Sequence, residues 1–229
     1  MKENVTRRQF LGVASTVAVA GALTTTIAQG AEVTPKGKIL KILGIACSPR
    51  KGMTTAKAVQ AALDAAKSTD PRIEIELIDL GGLSIAGYSP KPPPDDFTAI
   101  LPKLQDPALG GLIIGSPAYF RGMSSLCKAF IERCAPLRDP RMLLASKPVG
   151  VVAVGAFRNG GQEMTIEQIQ AAMLCFGMIA VGGNAPAFQG ATVLSAKDDI
   201  SADELGLDTA KKLGAHVAEV ALRLAPKEA

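Results

Sequence analysis

Residues 46–55 read ACSPRKGMTT. They join the apolar, β-branched run KILKILGIA (38–46) to the alanine-rich segment TTAKAVQAALDAAK (54–67). The first run is short and bounded by turn residues, so it reads as a buried strand. The second carries apolar residues at helical spacing, and Thr54 or Thr55 can cap it. The junction between them is dense in donors: the Ser48 and Thr55 hydroxyls, the Arg50 guanidinium and the first N–H groups of the helix. Such a set either caps a helix beside a solvated Arg–Lys pair or cradles a phosphate dianion. It is not a Walker loop, because the glycine-lysine-serine ending is absent, and the glycines of the dinucleotide fingerprint are missing too.

Working outward, the same alternation repeats. RIEIELIDL (72–80), GGLIIGSP (110–117), KPVGVVAVG (147–155) and MIAVGG (178–183) read as four further strands. Helices are expected over 95–105, where Pro102 should distort the end, and over 123–135, 162–177 and 202–225. Five strands alternating with helices imply right-handed crossovers and a parallel sheet covered on both faces. The expected strand order is 2-1-3-4-5, an α/β fold of three layers. In such sheets ligands bind outside the carboxyl ends of the strands, near the switch in strand order.

That rule selects two more loops. GSPAYFRGMSS (115–125) follows strand three, and its Tyr119 and Phe120 either wall a flat ligand or cover the sheet edge. GAFRNGGQE (155–163) follows strand four. Its paired glycines let backbone N–H groups approach a ligand, and Arg158 adds a positive charge. The alternative is a plain glycine turn before a helix.

The chain has 229 residues, 25 of them Lys or Arg and 21 Asp or Glu, so its net charge is only +4. No concentrated basic face is evident, which argues against a nucleic-acid partner. The charge is split evenly. Residues 1–30 hold Lys2, Arg7 and Arg8 against Glu3, and the remainder has 22 cations against 20 anions. Within 1–30, Arg7-Arg8 followed by Phe10-Leu11, a weakly apolar run and the small residues Ala28-Gln29-Gly30 has the layout of a twin-arginine export signal. An ordinary secretory signal or a retained anchor is the alternative. The domain is then 31–229, outside the cytoplasm, and a route that carries folded cargo favours a cofactor inserted beforehand.

Cys47, Cys127, Cys134 and Cys175 are too dispersed for a zinc or cluster motif. Cys127 and Cys134 share a helical face that points to the core. His216 reads as a surface or packing residue, and PKPPP (90–94) as a stiff extended loop.

Three stretches, CSPRKGMTT, GSPAYFRGMSSLCKAFIER and VGAFRNGGQE followed by GMIAVG, resemble in order and spacing the NADPH-dependent FMN reductase family of flavodoxin-like proteins. They are closest to the branch that includes the iron–sulfur flavoproteins. The resemblance implies FMN as cofactor. Ser48, Arg50, Thr54 and Thr55 would bind its phosphate. Pro117, Ala118, Tyr119 and Phe120 would lie along the isoalloxazine. Gly155, Ala156, Arg158 and Gly161 would reach the pyrimidine edge. It further implies NAD(P)H as donor, a small acceptor such as a quinone or flavin, and a homodimer or tetramer. Two departures matter. The cluster cysteines are missing from 81–96, so no iron–sulfur cluster is expected. Export would also place the protein where nicotinamide is scarce, which leaves room for an exported redox partner. Besides an exported FMN-dependent oxidoreductase, the sequence accommodates a non-enzymatic electron carrier or a flavin-free binding module.

Overall fold

The structure is a computed structural model, and it describes residues 37–225. The proposed signal, residues 1–30, lies outside the described residues. The strands are β1 (Leu40–Ala46), β2 (Ile73–Asp79), β3 (Leu109–Pro117), β4 (Pro148–Gly155), β5 (Ile179–Ala180) and β6 (Ala191–Leu194). The helices are α1 (Thr54–Lys67), α2 (Phe97–Leu104), α3 (Ser125–Arg133), α4 (Gln162–Leu174) and α5 (Glu204–Leu224). A 3-10 turn, Ala135–Leu137, follows α3.

All strands run parallel in the order β2-β1-β3-β4-β5, as the sequence predicts for the flavodoxin-like arrangement. Successive residues of β1 face opposite cores. Leu40, Ile42 and Ala46 pack under α1 and α5, while Leu43 and Ile45 pack under α2, α3 and α4. The central strands β3 and β4 are therefore apolar throughout, because both faces are dry, whereas the edge strand β2 alternates and exposes Glu74.

The fifth lane departs from expectation. The segment 178–183 yields only a two-residue strand, which pairs Pro148 and Val149 at the start of β4. The chain then loops out over 181–190, and β6 re-enters the same lane along Val152–Gly155. A β4 of eight residues needs a partner along its whole length, and two short strands in series supply it. Pro102 lies inside α2 and does not end it; the helix runs on to Leu104.

Cys47, Cys127 and Cys134 are buried thiols in one core cluster. Burial pushes the Cys47 and Cys134 thiols well above the usual range. His216 donates from Nδ1 to the Gly182 carbonyl at 2.6 Å, a packing contact.

Candidate functional site

Beyond the carboxyl ends of the strands lies an open cavity of about 350 Å³. Arg50 and Thr54 line it from the β1–α1 loop, Pro117, Ala118 and Tyr119 from the β3–α3 loop, and Gly155 and Ala156 from the β4–α4 loop. The three predicted loops thus meet in one place. A fourth wall, Ser195, Lys197 and Asp198, comes from the loop after β6. Backbone bonds lock the rim: Ala118 N–H to the Val154 carbonyl at 2.8 Å and Ser195 N–H to the Gly155 carbonyl at 2.8 Å.

The first loop is held from several sides. Ser48 is buried, and its Oγ accepts from Arg50 N–H at 3.2 Å, which bends the loop toward α1. Asp79, the last residue of β2, accepts from Gly52 N–H at 2.7 Å and from Gly81 N–H at 2.9 Å. Ser124 caps α3 by accepting from Cys127 N–H at 3.0 Å, and it donates to the Cys47 carbonyl at 2.6 Å. Ser124 N–H in turn donates to Ser116 Oγ at 3.0 Å. One buried hydroxyl therefore ties the first loop to the second. Ser124→Ala removes a helix cap and strands a buried carbonyl, so a loss of about 1–3 kcal/mol is expected. Calorimetry should show a fall in Tm of several degrees, and an unchanged Tm contradicts this role.

Of the other predicted residues, Thr55 is buried beneath the loop and Phe120 is fully exposed. Gly161 caps α4 from the preceding position with φ +96°, and a Cβ there would stand 2.6 Å from the Arg121 Cα. Its place is to let the second loop pack on the third. Arg158 turns away from the cavity and pairs with Asp203 at 2.6 Å. Burial alone would raise the Asp203 carboxyl. The hydrogen bonds from Arg158 and from the Leu194 and Gly206 N–H groups outweigh it and hold that carboxyl below the usual range.

Two further features bear on a ligand. Met53 gives α1 no side-chain cap, and its first turn carries no acid, so no side chain of the helix itself satisfies its leading N–H groups. Gln162, buried against Gly155, donates to the Phe157 carbonyl at 2.7 Å, but its Oε1 has no partner. An uncapped helix start, a guanidinium and an orphaned acceptor under a glycine loop fit a ligand with an anionic end and a polar, donor-bearing edge. A phosphorylated flavin has both.

A larger cavity of about 490 Å³ lies elsewhere, between residues 88–92, α2 and the end of α3, with Phe97, Leu101 and Arg133 in its walls. It shares no residue with the first. Among the described residues no group of three or more His, Cys, Asp or Glu is placed to hold a metal ion, and no helix is long and apolar enough to cross a membrane.

A parallel sheet with this strand order and a ligand cradle at its carboxyl edge defines a flavodoxin-like protein. Comparison with known proteins narrows this. Residues 40–193 match the NADPH-dependent FMN reductase family, and the chain belongs to it. It is 41% identical over 192 residues to an iron–sulfur flavoprotein of Methanocaldococcus jannaschii, covering 79% of this chain and 97% of that one. An iron–sulfur flavoprotein of Methanosarcina thermophila is 33% identical over 183 residues, 76% of this chain and 93% of the relative. Among solved structures, the flavodoxin-like WrbA-like protein of Agrobacterium tumefaciens aligns with a TM-score of 0.58 at 19% identity, covering 82% of this chain and 99% of that one. An NADH:FMN oxidoreductase in its apo form aligns with a TM-score of 0.59 at 19% identity, covering 82% and 91%. FMN is the cofactor of the family to which this chain belongs.

The sequence reading missed Asp79, Ser124, Gln162 and the 195–198 wall. Asp79 and Ser124 sit at a strand end and a helix start, where the rule on strand ends could have found them. The fourth wall was hidden because β6 was not expected.

Proposed function

We propose that this protein is an exported FMN-dependent oxidoreductase that passes hydride or electrons to a small acceptor such as a quinone or a flavin. The observation that carries the proposal is the convergence of four strand-end loops on one cavity whose floor is an uncapped helix start beside Arg50. When bound, FMN supplies the redox chemistry through its N5 position. The chain's own residues bind and orient it. Arg50, Thr54 and the α1 N–H groups would hold the phosphate. Pro117, Ala118 and Tyr119 would flank the ring, and the backbone of Gly155 and Ala156 would approach its polar edge. The loop 81–96 offers no thiolate, so the purified protein should hold flavin without iron.

The Arg7-Arg8 pair supports export of a preloaded protein through the twin-arginine translocase. The exposed rings of Phe120 and Phe157, on the second and third loops, support assembly into a homodimer or tetramer.

One experiment tests function and address together. The full chain is expressed, the extracytoplasmic fraction is examined for a yellow protein, and its anaerobic bleaching is followed with NADPH, NADH and a small quinol. We expect bound FMN, slow reduction by NAD(P)H, faster reduction by the quinol as electron donor, and reoxidation of the bleached flavin by a quinone of higher potential or by free flavin as acceptor. Replacing Arg7 and Arg8 with lysine should leave a yellow precursor in the cytoplasm. Retained flavin that no small donor reduces makes the protein an electron carrier between redox proteins. A colourless exported protein refutes the flavin reading. Unchanged export of the double variant refutes the route.

A further inference from the structure

Arg50 is already engaged. Its guanidinium donates to Asp198 Oδ1 at 2.6 Å, and both residues line the cavity. The two are 148 positions apart, so no local chain geometry forces them together. Asp198 stands at the tip of a tight hairpin in which Ala196 N–H donates to the Asp199 carbonyl at 2.8 Å and Asp199 N–H to the Ala196 carbonyl at 3.0 Å. Lys197 has φ 50° and Asp198 φ 63°. Two successive positive φ values are the type I′ pattern, which glycine and asparagine favour and which a Lys-Asp pair rarely adopts. The turn therefore places the Asp198 carboxylate against Arg50, while both side chains remain about half exposed and within reach of a ligand.

We propose that Asp198 is a tethered competitor for the anion site and sets which anions Arg50 accepts. The inference rests on the reading that Arg50 receives the phosphate of FMN. An exposed arginine beside a helix start would otherwise take any carboxylate or sulfate from solution. A carboxylate tethered on the opposite wall acts at an effective concentration in the millimolar range, by analogy with linked binding modules. It outcompetes dilute single-charge anions. It yields to a phosphate dianion that arrives attached to a bound flavin, because that group is itself tethered and carries more charge. Lys197, on the same tip and in the same cavity, leaves a cation facing the phosphate once Asp198 is displaced.

The test is a set of flavin titrations at low salt on the full-length protein, wild type, Asp198→Asn, Arg50→Ala and the double variant. Asparagine tolerates positive φ, so the turn survives and only the charge is lost. Asp198→Asn should bind FMN about two- to fivefold more tightly, the range of an exposed ion pair, and bind riboflavin unchanged. Added sulfate should weaken FMN binding more in Asp198→Asn than in wild type. In the Arg50→Ala background the extra sulfate sensitivity of Asp198→Asn should vanish, since the arginine that sulfate would occupy is gone. Unchanged or weaker FMN binding by Asp198→Asn, or an equal change for riboflavin, overturns the proposal while Arg50→Ala alone still reports on the phosphate site. Equal weakening of FMN and riboflavin by Arg50→Ala removes the phosphate reading and this inference with it.

Discussion

Arg50→Ala is expected to weaken FMN binding by an order of magnitude or more and to leave riboflavin binding unchanged. A hydrogen bond to a charged group contributes roughly 1.5–3 kcal/mol, and each 1.4 kcal/mol is about tenfold in affinity. Two effects act in the same direction. The guanidinium is lost from the phosphate, and Asp198, which it neutralises at 2.6 Å, is left as an uncompensated anion on the cavity wall. The loss should therefore be steep at low ionic strength and shrink as salt screens the remaining repulsion. Arg50→Lys should recover part of it, since a lysine keeps the charge without the planar fork. Fluorescence quenching of FMN and riboflavin checks both halves. A variant in which both ligands weaken equally means that Arg50 shapes the ring site and that the phosphate lies elsewhere.

Most of what positions this site was legible in the chain. Turn-bounded apolar or alternating runs mark all five lanes, and the rule that ligands gather at strand carboxyl ends collects the loops of Arg50, Thr54, Tyr119 and Gly155, which line one cavity. What escaped has physical causes. The fifth lane, read as one strand over 178–183, is filled by Ile179–Ala180 and Ala191–Leu194 in series, and the second piece is too short to show a period. With β6 unseen, the loop carrying Lys197 and Asp198 had no reason to be collected. Arg158 resembles a ligand contact because it follows a strand end. Its partner Asp203 is 45 positions away, and an ion pair at that separation leaves no local signature. Ser124 was readable as a helix cap. Its second bond, to the Cys47 carbonyl, exists only once β1 and β3 lie side by side. The sequence pattern therefore reaches the layers and the loop ends, while the pairing of charges across loops belongs to the tertiary structure.

Gly214→Ala should destabilise the protein severely, against what helix propensity alone says. Gly214 lies inside α5, and in a free helix the exchange would stabilise by about 0.8–1 kcal/mol. Here a Cβ on residue 214 would stand 1.8 Å from the Ala62 carbonyl oxygen and 2.9 Å from the Ala62 Cα. The obstacle is backbone, which has no rotamer to give, so α1 and α5 must move apart along their shared contact. Ala58, Val59 and Ala62 of α1 pack there in one buried cluster with Leu213 and Val217 of α5, and separating them opens that cluster to repacking. Overpacking a dry interior costs typically 1–3 kcal/mol, occasionally more, and a backbone clash belongs at the upper end. A net loss of about 2–3 kcal/mol follows, a fall in Tm of about 4–12 °C for a domain of this size. The consequence extends to the site, because α1 carries the uncapped N-terminus and Thr54 at its start. A shift of that helix should also weaken FMN more than riboflavin, without any change to a residue that lines the cavity. Thermal unfolding of the apoprotein and parallel flavin titrations check the two claims separately. A Tm equal to or above wild type means that the helices can part without loss and that their close approach does not fix the phosphate loop.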